Sequence, residues 1–198
     1  MGDKDIPVGS VEFSSRFLQT FHNISPKPLN IPAILQTEKF LKRRVFYFNP
    51  LKDQIPDNSR YFIKNREKIK EYTEVSYLKD LPKEDKNYFV SEIIKEIDLE
   101  FRCFVFDDKL VDIRRYSGGI DDIKHSPDVG LIQEIIRTYK GQSRAYTLDV
   151  GVSKELGTFI IELHNFWSCG LYGFTSPGKL VAMTIQGIKA ELNQREAD

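Results

Sequence analysis

Apolar residues along the chain fall into short blocks whose spacing changes from one block to the next. Residues 1–30 hold one apolar-periodic stretch, "VEFSSRFLQTFHNI", followed by the turn-rich "SPKPLNIP". That order predicts a small leading element and an extended connector, because a proline steers the residue before it away from helix. In "AILQTEKFLKRR", Ile34, Leu35, Phe40 and Leu41 lie close to a 3.6-residue period and predict a helix. "VFYFN", "RYFIKN" and "YFVSEII" are apolar runs bounded by polar or turn residues and predict short strands.

The clearest local pattern is "LEFRCFVFDDKLVDIRRY", two alternating runs joined at Asp107-Asp108-Lys109, which predicts a β-hairpin. Alternation puts Glu100, Arg102, Phe104 and Phe106 on one face and Phe101, Cys103 and Val105 on the other. "SGGIDDIKHSPD" reads as a loop. "VGLIQEIIRTYKG" reads as a helix with an apolar stripe of Leu131, Ile132, Ile135 and Ile136 and a Lys-Gly stop signal. "AYTLDVGV" and "TFIIELHNF" predict two more strands across the turn-like "SKELG", and "GKLVAMTIQGIKAELNQREAD" predicts a closing helix. Mixed strands and helices without an internal repeat suggest an α+β layer architecture.

Composition narrows the class. The 198 residues are enough for one large domain or two small lobes. Lysine plus arginine and aspartate plus glutamate each number 29, which excludes the global basic footprint of a duplex-DNA binder, and no nucleic-acid partner is expected. The two cysteines, Cys103 and Cys169, sit in apolar stretches and read as buried small hydrophobes of a reducing compartment. "MGDKDIPVGS" has neither a basic nor an apolar leader segment, and no apolar run reaches membrane-spanning length, so a soluble, cytoplasmic protein is expected.

Against this background a few polar residues stand out in apolar strands. Glu162 and His164 share one face of "IIELHNF", Asn165 points to the other unless a bulge intervenes, and a hairpin through "SKELG" sets Asp149 close to the first two. Two carboxylates that meet repel unless a cation lies between them, and such oxygen ligands suit Mg²⁺; the alternative is a solvated hairpin face. Lys64 in "YFIKN" either snorkels to water or aims a point charge at a phosphate. Glu92, Ile93 and Ile94, followed by Glu100 and Arg102, either form a slot for a planar ring or an ordinary sheet edge. Trp167 reads as a packing residue. Arg114, Arg115, Tyr116, Lys124 and His125 either face an acceptor or are solvated.

The order of these pieces, "YFIKN", "FVSEII...LEFRCFVFDDKLVDIRRY" and "YTLDVGV...GTFIIELHNFWSCGLYGF", resembles the ATP-grasp superfamily over about residues 30–178, and within it the compact clade named for an arginine-to-lysine change. The resemblance implies two α+β lobes with mainly antiparallel sheets holding ATP between them. It places a leading segment at 1–30, an N-terminal lobe at 31–90 and a C-terminal lobe with the metal site at 91–198. It implies that Lys64 contacts nucleotide phosphates, that Glu92, Ile93 and Ile94 form the hinge that meets adenine, and that Glu100 holds ribose hydroxyls. Arg102 resembles the arginine of an E-x-R pattern facing phosphate or acyl substrate, and Lys64 and Arg102 are the expected catalytic residues. Asp149 and Glu162 match the carboxylates that hold Mg²⁺. The third ligand of the family is an asparagine where His164 stands here, with Asn165 one further on. Imidazole suits Mn²⁺ or Zn²⁺ better than Mg²⁺, so His164 either binds the metal or contacts phosphate or substrate, and Asn165 is the other candidate ligand.

The activity implied is ATP-dependent ligation of a small-molecule or peptide carboxylate to an amine or thiol through an acyl-phosphate. The alternatives are a nucleotide-binding or regulatory domain without ligation, favoured by the His164 departure and by a leading region too short for a full substrate-binding domain, and an α+β interaction domain. Substrates and oligomeric state stay open.

Overall fold

The computed structural model describes residues 2, 4–69, 71–119 and 126–193. Lys124 and His125 lie outside the described residues. Helix α1 (Val11–His22) starts where the Ser10 side chain accepts from Phe13 N–H and ends at Asn23 in a left-handed conformation. Its buried Leu18 packs with Trp167 and Ile188. The connector to residue 32 is extended, as the prolines require.

The helix expected over "AILQTEKFLKRR" is broken. Ala33–Leu35 form one 3₁₀ turn, and α2 (Glu38–Leu41) is a single turn capped by Thr37. A hydroxyl that satisfies the Phe40 N–H restarts the chain at Thr37, so the apolar period spans two short pieces.

The first sheet contains β1 (Val45–Phe48), β2 (Arg60–Asn65), β3 (Thr73–Tyr77) and β4 (Tyr88–Ser91) in the order β1-β4-β2-β3, all antiparallel. One face of β2, Tyr61 and Ile63, joins a core with Phe48, Leu78, Leu81, Tyr88 and Val90. Strand alternation sends Phe62 and Lys64 to the opposite, half-buried face.

The second sheet contains β5 (Leu99–Phe106), β6 (Lys109–Gly118), β7 (Ala145–Ser153) and β8 (Gly157–Asn165) in the order β6-β5-β7-β8, again antiparallel. The β5–β6 turn has positive φ at both Asp107 and Asp108, the geometry that matches hairpin twist. One face packs against α3 (Val129–Thr138): Cys103, Val105, Tyr146, Leu148, Val150 and Leu163 meet Ile132, Ile135 and Ile136. The opposite face is covered at one end by α4 (Pro177–Asn193), where Met183 packs with Phe104, Ala145 and Phe166. The other end of that face carries Arg102, Asp149, Glu162 and His164 and turns toward the first sheet.

Alternation fails at one point in β8. Asp149 pairs with Glu162 but Val150 pairs with Ile160, leaving Ile161 as the extra residue of a bulge. Phe159 and Glu162, three positions apart, therefore both accompany the Asp149–Gly151 face. Arg43 secures the bulge: Nη1 donates to the Ile160 carbonyl at 2.6 Å and Nη2 to the Ile161 carbonyl at 3.2 Å, while Nε donates to Ser91 Oγ on β4 at 2.6 Å. Gly151 makes room beneath, since a Cβ there would lie 2.5 Å from the Phe159 ring. No helix among the described residues is long and apolar enough to cross a membrane.

Candidate active site between two sheets

Lys64 and Glu162 face each other from β2 and β8, and Lys64 Nζ donates to Glu162 Oε2 at 2.9 Å. The other oxygen, Oε1, lies 2.8 Å from His164 Nε2, which is also 3.3 Å from Asp149 Oδ2. Nε2 is shielded from solvent, yet neither carboxylate lines up with it as a hydrogen-bond acceptor. Asp149, Glu162 and His164 form the one group of three histidine, cysteine or acidic side chains among the described residues that can close on a metal, their ligand atoms all within 4.8 Å of one another. A shielded imidazole nitrogen without an aligned partner, between two carboxylates, fits a divalent cation.

Asp149 is held from the other side. Arg102, its cross-strand partner on β5, donates from Nε to Oδ1 at 2.8 Å and from Nη2 to Oδ2 at 2.6 Å. This is a bidentate pair, with side-chain exposures of 7% and 2%. Arg102 Nη1 donates to the Gly170 carbonyl at 3.0 Å, and its guanidinium lies 5.5 and 5.1 Å from the centroids of the stacked Tyr116 and Tyr172 rings. Tyr116 donates its hydroxyl to Glu100 at 2.9 Å and reaches Asp149 Oδ2 at 3.3 Å.

The electrostatics follow from this packing. Burial pushes the Glu162 carboxyl up, but His164 and Lys64 outweigh it and bring its pKa down to about 2. For His164 burial acts downward, and the carboxylates of Asp149 and Glu162 overcome it and raise the pKa. Burial and the flanking Asp149 and Glu100 raise that of Tyr116, which remains a hydroxyl donor.

Two cavities adjoin these residues. One of about 220 Å³ is lined by Phe62, Val75, Ile93, Ile94, Phe159 and Ile161, an apolar slot between β2–β3 and β8. The other, about 360 Å³, is lined by Leu29, Lys64, Ile69, Glu162, His164 and Ser168. The backbone N–H and C=O groups of Ile93 and Ile94 make no hydrogen bond among the described residues and stand at the slot. Glu92 lines the same slot, with its carboxylate already accepting from Arg44 N–H at 2.9 Å and Arg44 Nε at 3.1 Å.

The structure thus brings Lys64, Asp149, Glu162, His164 and Arg102 together, with Glu100 one hydroxyl away. It does not bring Asn165, whose side chain lies on the opposite face and donates to the buried Glu191 of α4 at 2.6 Å. The bulge falls at Ile161, upstream of Glu162, so alternation from 162 to 165 is intact and turns Asn165 outward from the metal group. Trp167 packs, donating its indole N–H to the same Glu191. Sequence reasoning missed Arg43, Leu29 and Tyr172. Tyr172 carried a signal, since it stands between glycines where a left-handed turn is built: φ is 45° at Tyr172 and 80° at Gly173.

A family model for an ATP-grasp domain, the second family of the arginine-to-lysine clade, matches residues 40–180. No curated protein matches the chain. Among solved structures, the D-alanine–D-alanine ligase of Bacillus anthracis complexed with ATP superimposes with a TM-score of 0.51 at 15% identity, covering 80% of this chain and 63% of the ligase. The corresponding ligase of Coxiella burnetii gives 0.49 at 14% identity, covering 78% and 55%. The ATP-grasp ligase PsnB with its precursor peptide and AMPPNP gives 0.49 at 16% identity, covering 77% and 56%. The chain spans less than two thirds of the length of each of these three proteins. With the family model covering most of the chain and the two-sheet architecture shared with a known ligase, the protein belongs to the ATP-grasp superfamily, in the second family of its arginine-to-lysine clade.

Proposed function

We propose that the chain is an ATP-dependent ligase that joins a carboxylate to an amine or thiol through an acyl-phosphate. The observation that supports this best is Lys64 of β2 facing Glu162 and His164 of β8, beside Asp149, on the same two strands that line an apolar slot with unbonded backbone groups at Ile93 and Ile94. Adenine would stack between Phe62, Val75 and Phe159 and bond to the exposed backbone of residues 93 and 94. Glu100 is the acceptor for ribose hydroxyls.

In the reaction a carboxylate oxygen attacks the γ-phosphorus, the bond to the β-phosphate oxygen breaks, and ADP leaves. An amine or thiol then attacks the acyl carbon, expels phosphate and loses its proton. Lys64 supplies a charge for the transferring phosphoryl group once a phosphate draws it from Glu162, and Arg102 supplies a second, fixed by Asp149. A divalent cation would be held at this group of side chains and neutralise charge on the terminal phosphates. No covalent protein nucleophile takes part.

The grip of Arg102 on both oxygens of Asp149 favours a second reading, a domain that binds nucleotide without turning it over. Incubation with ATP, a panel of carboxylic acids and hydroxylamine separates the two. Hydroxamate and ADP formed together, and reduced at least 100-fold in Lys64→Met, are expected. ATP binding without ADP release with any acid supports the second reading, and neither binding nor release overturns both.

A further inference from the structure

The three side chains of the metal group are not equally free to serve. Asp149 is almost wholly buried, and both its oxygens accept from Arg102. The guanidinium is in turn fixed by the Gly170 carbonyl and by two stacked tyrosine rings, and the Tyr116 hydroxyl reaches the same Asp149 oxygen. Oδ2, the Asp149 oxygen beside His164 Nε2, is already met by Arg102 Nη2 at 2.6 Å and by the Tyr116 hydroxyl at 3.3 Å, so a cation that took it as a ligand would displace one of these groups in a desolvated site, which is costly. Glu162 and His164 differ. Both open into the 360 Å³ cavity, their side chains are 31% and 21% exposed, and the partner of Glu162 there is the single long chain of Lys64. His164 Nε2 faces Glu162 Oε1 without an aligned hydrogen bond.

We propose that the cation in this cleft is held by Glu162 and His164, with Asp149 retained by Arg102, and that this nitrogen-and-oxygen pair selects a divalent transition ion over Mg²⁺. The donor chemistry carries the selection. Mg²⁺ is a hard ion that keeps oxygen ligands and its own water, whereas an imidazole nitrogen binds borderline ions of the first transition row more strongly. Asp149 then acts as a positioning residue: it orients Arg102 and lies beside the imidazole without joining the ligand set. The inference rests on the location of the proposed nucleotide cleft, but its test uses metal alone.

Nucleotide-free protein is titrated with MnCl₂ while the electron paramagnetic resonance signal of free aqueous Mn²⁺ is followed, and bound Mn²⁺ is then displaced with MgCl₂ or ZnCl₂. The expected result is that Mg²⁺ displaces only at more than tenfold excess over Mn²⁺ and that Zn²⁺ displaces at or below parity. His164→Asn should bring Mg²⁺ to near parity, and the charge-balanced double variant Arg102→Met/Asp149→Asn should change Mn²⁺ affinity less than threefold. Lys64→Met, which leaves Glu162 without its cation, should tighten Mn²⁺ binding. His164→Gln, with thermal unfolding of every variant, shows whether a loss is local or a failure to fold. Displacement of Mn²⁺ by equimolar Mg²⁺ in the unsubstituted protein, unchanged Mn²⁺ binding in folded His164→Asn or His164→Gln, or no Mn²⁺ binding even in Lys64→Met would each overturn the proposal. A tenfold or larger loss in the folded double variant Arg102→Met/Asp149→Asn would return Asp149 to the ligand set. AMP-PNP binding measured separately with Mg²⁺ or Mn²⁺ in excess shows whether the cleft reading itself fails.

Discussion

Replacing Arg102 by methionine removes a charge from the best-buried ion pair of the site while keeping most of the side-chain stem. The structure sets the magnitude. Asp149 would keep a buried carboxylate with only the Tyr116 hydroxyl and His164 Nε2 in reach, because the strands around it leave water little access. Breaking one side of such a pair costs about 3–5 kcal/mol. For a chain of this size each kcal/mol moves the melting temperature by roughly 2–4 °C, so a fall of about 6–20 °C is expected. Asp149→Asn in the same background removes the stranded charge, and the double variant should recover more than half of the loss. Urea unfolding of the original protein, the two single variants and the double variant closes the cycle, with both sites in direct contact and strongly coupled. A loss under about 1 kcal/mol for Arg102→Met would mean that the pair behaves as a solvated surface bridge, and the case for Asp149 as a captive residue would fail.

Three further outcomes follow from other parts of the fold. Glu191 is buried and its carboxyl pKa is raised above 4.5 by that burial, although Asn165 and Trp167 donate to it; its contribution is therefore fully present below about pH 4.5 and is lost as pH rises through the folded value. Glu191→Gln keeps an acceptor for both donors and should abolish that pH dependence, read as a flat Trp167 fluorescence titration where the parent shows a transition. Gly151→Val should push on the Phe159 ring and lower nucleotide affinity at least tenfold in calorimetric titration, while an unchanged affinity would detach the slot from nucleotide binding. Arg43→Met leaves the Ile160, Ile161 and Leu41 carbonyls without a shared donor and should cost about 2–4 kcal/mol in urea unfolding, at roughly 1 kcal/mol or more per stranded group; a loss below about 1 kcal/mol would show that the bulge needs no cap.

Much of the second sheet was legible because its signals are local. Two positive-φ aspartates close the β5–β6 turn, and strict alternation in β5 and β7 sorts Arg102 and Asp149 onto one face and Cys103 and Leu148 onto the other. The resemblance supplied the pairing of distant pieces, which periodicity alone does not give. The β8 bulge is not legible, since an extra isoleucine in "TFIIEL" looks like any apolar run and the guanidinium that bonds its carbonyls reaches from residue 43. β3 was missed for a different reason: "TEVSY" is mostly exposed at the edge of its sheet and carries little apolar pattern. Helix α2 was overestimated because the apolar period ran through Thr37, whose hydroxyl caps a new start. Asn165 is a candidate ligand by its neighbourhood in sequence, and the buried Glu191 that engages it lies 26 residues away on another element.

Nucleotide bound between the two sheets, with Lys64 and Glu162 at its phosphate end, would stabilise the folded state. The most direct test is thermal unfolding of the purified protein with and without AMP-PNP, in the presence of Mg²⁺ or Mn²⁺, repeated for Glu162→Gln. At about 100 times its dissociation constant a ligand of the folded state adds about 2.7 kcal/mol, which at roughly 2–4 °C per kcal/mol raises the melting temperature by about 5–11 °C. Such a rise is expected, dependent on metal and absent in Glu162→Gln. No rise with either metal, or an equal rise in the variant, would contradict it.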